Sequence, residues 1–200
     1  MENAEKLRAE EDLLSRMRSL QERMAPVLKP LPASAKELHE QLRRILQKAI
    51  RAEVLQTPPD IVTRELLKLV SSDKNSTVKK LGGTHGIFGA KKDFDRLTEP
   101  ANPNEKLVRH DGAVIHFTLT VKEDAGPLEL IAYDFELYYP SKQPIWFIRF
   151  DMNQPQHKNE DLGLRSHVHP GHEDLLIPGV MLSPAEALSF LLFGFGLRRR

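Results

Sequence analysis

Hydrophobic and polar residues alternate with a helical period in the first third of the chain and with a period of two in the second half. From Asn3 to Ala25, Leu7, Leu14, Met17, Leu20 and Met24 recur at a spacing that predicts an amphipathic helix, which Pro26, Pro30 and Pro32 close. A second helix is predicted from Ser34, where Ser34 followed by Glu37 fits a capping box. Its apolar stripe is Leu38, Leu42, Ile45, Leu46, Ala49 and Ile50. Thr57-Pro58-Pro59-Asp60 interrupts the pattern, and a short third helix is expected over Ile61 to Val70, with Leu66, Leu67 and Val70 on its buried side. Residues 71–106 have no clear period. They include a polar loop, the segment Gly82 to Gly89, and a Pro/Asn-rich run from Glu99 to Asn104, with a short helix expected around Asp93 to Leu97.

Beyond residue 106 the pattern becomes that of strands: Val114 to Val121, Leu128 to Tyr138, Ile145 to Asp151 and Arg165 to His169. Turn-rich connections such as Asp124-Ala125-Gly126-Pro127 predict consecutive antiparallel pairing. Ser183, Pro184 and Glu186 then mark the start of a last helix that buries Ala187, Leu188, Phe190, Leu191 and Leu192. The expected fold is α+β: an N-terminal helical hairpin, then an antiparallel β-meander closed by a C-terminal helix. The expected organisation is a helical hairpin over 1–72 serving as an assembly element, a basic, glycine-rich flexible linker over 73–106, and an antiparallel β domain with its helix over 107–200.

Composition narrows the chemistry. Among 200 residues, 29 Lys and Arg face 28 Asp and Glu, a formal net charge of +1, so global charge does not direct the chain to nucleic acid. No apolar run reaches the roughly 18–20 residues of a membrane span, and the charged N-terminal stretch lacks a signal-peptide core, so no membrane association and a cytoplasmic location are expected. Cysteine is absent, which leaves histidine and carboxylate as metal ligands and removes thiol chemistry. Of the eight histidines, His157, His167, His169 and His172 fall close together near the C-terminus.

That region carries the densest constellation: Arg149, Asp151 and His157, then Arg165, His167 and His169, with Glu173 and Asp174 beyond. On a strand, Arg165, His167 and His169 share one face at intervals of about 7 Å, and Asp151 sits at the end of the neighbouring strand. Two chemistries fit. His167, His169 and a carboxylate (Asp151, Glu173 or Asp174) would hold a divalent metal. Without metal, one histidine would take a proton from a ribose hydroxyl while another protonates the leaving oxygen, with Arg149 or Arg165 stabilising the phosphorane. His157, in a polar loop, reads as exposed.

Lys79, Lys80, Lys91 and Lys92 flank the Gly82–Gly89 segment and offer phosphate contacts, although the segment lacks the order of a P-loop and reads mainly as a linker. Tyr133, Phe135 and Leu137 alternate as a sheet core does rather than as an RNA-stacking face. The seam of the first helix approximates heptad spacing, so it can pair with another chain, giving a homodimer or a protein partner, or dock on the second helix.

Arg149-Phe150-Asp151-x-Asn153-x-Pro155-x-His157, then His167-x-His169-Pro170-Gly171, Pro178 and the Ser183-Pro184 helix, resembles the order in the TumE-like toxin-type family and in prokaryotic proteins encoded near mobile elements and phage-defence genes. The similarity spans roughly residues 128–195, and Met152 between Asp151 and Asn153 departs from the pattern. The resemblance implies a toxin-like or antiviral-defence protein that acts on RNA as a nuclease, with Arg149, Asp151, His157, His167 and His169 as the positions carried over. The alternative is a non-catalytic, partner-binding subunit of a larger prokaryotic defence or mobile-element complex.

Overall fold

The computed structural model describes Ser15 and residues 30–71, 83–90, 101–140, 145–157, 164–179 and 181–195. The predicted first helix, the helix expected at Asp93 to Leu97, and Lys79, Lys80, Lys91 and Lys92 lie outside these residues.

Helix α1 spans Ala35–Arg51. Ser34 caps it: its hydroxyl accepts the Glu37 backbone N–H at 3.2 Å, while Glu37 Oε2 reaches back to the Ala33 N–H at 3.1 Å. Ala35, Leu38, Leu42, Leu46 and Ala49 form its buried stripe. A helical turn, α2 (Pro59–Ile61), widens into the π-turn Val62–Leu66. At that point the expected third helix gives way to a strand. Leu67–Ser71 is β1, paired antiparallel with β2 (Thr84–Gly89) from Leu67↔Gly89 to Ser71↔His85. Leu66, Leu67 and Val70 have helical spacing, yet Val70 is exposed, because the edge strand buries little beyond Leu67.

The second correction concerns the expected linker. Thr84–Gly89 is an internal strand lying between β1 and β4 (Val114–Lys122). Its glycines serve packing rather than flexibility. A Cβ on Gly89 would fall within the ring of Phe117, the residue directly across from it. The sheet therefore runs across both boundaries drawn from the sequence, at 72/73 and 106/107.

The remaining strands are β3 (Leu107–Val108), β5 (Glu129–Tyr138), β6 (Phe147–Met152), β7 (Ser166–His169) and β8 (Ile177–Pro178). The antiparallel order is β1-β2-β4-β5-β6-β7-β8, with β3 also paired to β4. From β4 onward this is the expected meander, and the fold is α+β. Helix α3 (Pro184–Ser189) starts with the full Ser183/Glu186 capping box and continues into the π-turn Phe190–Gly194. No described helix is long and apolar enough to cross a membrane.

The register sorts the side chains onto two faces. Phe117, Phe135, Phe150 and Val168 lie in one cross-strand row, and Leu119, Tyr133 and Met152 in another. This is the apolar face, which α1 and α3 cover, and its residues form one core with Leu38, Leu42, Leu188 and Leu191. Phe117 and Phe135 stack at 5.0 Å, and Phe150 meets Phe190 edge-on at 5.6 Å. Tyr133, Phe135 and Leu137 are buried here, as the alternation predicts.

Gly89→Ala should destabilise the protein by about 1–3 kcal/mol, since the added methyl displaces a fully buried, stacked ring. Urea unfolding measures this; an unchanged midpoint would show that Phe117 is free to move aside.

Candidate metal centre

The residues of opposite parity form a small apolar cluster of Val114, Tyr138 and Phe147 at one end, and beyond it two rows that are polar. His116, Glu136, Arg149 and His169 form one cross-strand row, and Thr118, Asp134, Asp151 and His167 form the next. Asp151 thus lies directly across from His167, and Arg149 directly across from His169. Polar side chains on an open sheet face normally meet water, but here Glu136, Arg149, Asp151, His167 and His169 are buried.

Their contacts centre on one oxygen. Asp151 Oδ2 lies 3.1 Å from His169 Nε2 and 3.4 Å from His167 Nε2, and the two Nε2 atoms are 3.1 Å apart. The far side of each ring faces a backbone carbonyl: His167 Nδ1 meets Leu164 O at 2.8 Å, and His169 Nδ1 lies 3.4 Å from His172 O. A carbonyl only accepts, so the His167 Nδ1 must carry the ring's proton, which leaves its Nε2 as a lone pair in the neutral ring. Asp151 Oδ2, which also accepts from Arg149 Nε at 2.8 Å, and the two Nε2 atoms thus converge within 3.4 Å of one another. Ligands at about 2.1 Å from one ion are about 3.0 Å apart in octahedral geometry and about 3.4 Å apart in tetrahedral geometry. The observed separations fall in that interval, and carbonyls behind the imidazoles are the usual support of metal-binding histidines.

Arg149 secures the carboxylate. Its Nε donates to Asp151 Oδ1 and Oδ2 at 3.1 and 2.8 Å, and its two terminal nitrogens donate to the two oxygens of Glu173 at 2.9 Å each. Glu136 Oε2 lies 3.7 Å from the same guanidinium. Burial alone would raise the Asp151 carboxyl; hydrogen bonds from His167 and His169 and the Arg149 charge outweigh it and hold the group well below the usual carboxylate range. For Arg149, burial works against the charge, and the bonds to Glu173 and Asp151 more than offset it, raising its affinity for the proton. One guanidinium faces three carboxylates, so with neutral imidazoles the cluster carries two excess negative charges.

Three of the sequence candidates, Asp151, His167 and His169, come together in one cluster, and Arg149 joins them through Asp151. The others are placed elsewhere. Arg165 precedes β7 and donates through Nε to the Asn153 carbonyl at 3.4 Å rather than to Asp151, so the expected three-residue row on β7 reduces to its histidines. His157 is exposed, its N–H on the Gln154 carbonyl at 3.2 Å. Of the three carboxylates open as ligands, Asp151 takes the position, Glu173 pairs with Arg149, and Asp174 is exposed beside His172. Glu136, Asp134 and His116 were not singled out in the sequence; the signal was the Asp134/Glu136 alternation on β5, which reads locally as a solvent face. Comparison with protein-family models, curated proteins and solved structures gives no match.

The pH dependence follows from the Asp151 shift. A carboxyl whose folded value is depressed adds stability that is fully present above its unfolded value, about 3.9, and is lost as pH falls towards the folded value. Asp151→Asn should therefore cost about 3 kcal/mol at pH 7, and its deficit relative to the unsubstituted protein should shrink below about pH 4. Denaturation at pH 7 and pH 3 checks this; a deficit that does not change with pH would mean that the carboxylate's charge contributes nothing.

Proposed function

We propose that Asp151, His167 and His169 bind one divalent transition-metal ion, and that this centre carries the protein's chemistry. The observation behind the reading is the convergence of two imidazole nitrogens and a carboxylate oxygen separated by 3.1–3.4 Å, with the His167 Nδ1–H directed to a carbonyl. Two imidazoles and a carboxylate suit zinc, iron(II) or manganese, and three protein ligands leave positions open for water or substrate. When bound, such an ion polarises an oxygen and activates water as a nucleophile. The chain's own residues do the rest: the Leu164 carbonyl fixes the His167 ring, and Arg149 keeps Asp151 ionised and oriented.

The resemblance of the Arg149–Gly171 region to TumE-like toxins supports RNA or another nucleic acid as the substrate, in a prokaryotic defence setting. The reaction proposed is metal-dependent phosphodiester hydrolysis. A second reading, a structural ion tying β6 to β7 in a non-catalytic module, is favoured by burial: the His167 side chain is only 2% exposed.

Protein purified without a histidine tag should contain about one equivalent of metal by elemental analysis, falling at least tenfold in His167→Ala and Asp151→Asn. At a metal concentration of 100 times Kd, binding should add about 2.7 kcal/mol of stability. Cleavage of single-stranded RNA that EDTA abolishes supports the catalytic reading. Metal-dependent stability without cleavage supports the structural one. Absence of metal, with or without cleavage, overturns both.

A further inference from the structure

Arg149 has more donors than the metal ligands need. Its Nε edge is committed to Asp151, and its guanidinium carbon lies 5.7 Å from the centre of the Phe147 ring, so strand β6 itself holds the group in place. The other edge, the fork of two terminal nitrogens, is turned towards the β7–β8 connection. There each nitrogen donates to one oxygen of Glu173 at 2.9 Å, the bidentate geometry by which arginine takes carboxylates and phosphates.

The two partners differ in setting. The Arg149 side chain is 10% exposed and fixed on a central strand, whereas Glu173 is 60% exposed. Glu173 sits in a turn that begins at Gly171, whose φ of +102° is readily adopted only by glycine, and its neighbours His172, Asp174 and Leu175 carry exposed side chains. The fork is therefore a built, buried element, and its occupant is a largely exposed carboxylate on a turn.

We propose that Arg149 is an oxyanion-binding residue beside the metal centre and that Glu173 occupies its fork in place of the ligand. The ligand class follows from the charge. A single negative charge spread over two oxygens, as in a carboxylate or a phosphodiester, replaces Glu173 without altering the balance of the cluster. A neutral ligand would leave a buried guanidinium facing a group that cannot compensate its charge. As the ligand group of the same centre, this anion rests on the metal-centre reading for its function, while the fork itself stands on Arg149 alone.

The test uses the full chain, stripped of metal and dialysed free of chelator, with the backbone amide resonances of Gly171 and His172 followed by NMR during titration with acetate and, separately, with dimethyl phosphate. Glu173→Ala should bind at least one of the two anions tenfold or more tightly than the unsubstituted protein. The arm that gains identifies the source, a carboxylic acid or a nucleic-acid backbone. Adding Arg149→Lys to Glu173→Ala should remove the gain; should the double variant not fold, Glu173→Ala against the unsubstituted protein still decides. Equal affinity in the two proteins for both anions overturns the proposal, as does a gain that survives Arg149→Lys. Because no metal is present, failure of the fork is read separately from failure of the metal site, which elemental analysis reports.

Discussion

The period of two along β4, β5, β6 and β7 is the constraint from which the rest of the structure follows. Phe117, Phe135 and Phe150 must face α1 and α3, so the residues between them are forced to the opposite face. That parity sets Arg149 and Asp151 beside His169 and His167, and Glu136 beside Arg149. A slip of one residue would turn the charged rows into the apolar core and expose the phenyl rings. Register and site are thus the same property, and burial of the aromatic face holds the polar one together.

Buried charges are stable only as a group. Separating Arg149 from its carboxylates would leave ions without compensation in a medium that solvates them poorly, at a cost of about 3–5 kcal/mol for breaking one buried pair. This makes the cluster an all-or-none arrangement.

Much of this was legible in the sequence. The alternation over β4, β5 and β6 is carried by β-branched and aromatic residues at every second position, and the Ser183-Pro184 start of α3 is a local chemical signal that needs no tertiary context. The pairing of His167 with His169 followed from their spacing alone. Strands β1 and β2 were not legible, because neither has an alternating apolar face of its own. Val70 is exposed at an edge, and Gly86 and Gly89 look like a flexible segment until the rings of Phe88 and Phe117 are seen to need the space. The acidic residues of β5 and the bond from Arg149 to Glu173 escaped for a related reason. A local pattern can place a residue on a face, but the partner across the sheet or on a distant turn is set by register and loop closure.

The Arg149–Asp151 contact has two opposing consequences for a metal at this centre. By donating to both carboxylate oxygens, the guanidinium lowers the proton affinity of Asp151, so the ligand stays ionised well into acid. The same donation withdraws electron density from Oδ2, the atom nearest both imidazoles, and weakens it as a ligand. A site built for maximum affinity would leave that carboxylate less encumbered. An ion held beside so encumbered a carboxylate would be left more electron-deficient, and hence a stronger Lewis acid, than one beside a free carboxylate. Arg149 also directs its fork away from Asp151 and towards a solvent-facing turn, so the residue that weakens the carboxylate is also the one placed to receive an anion.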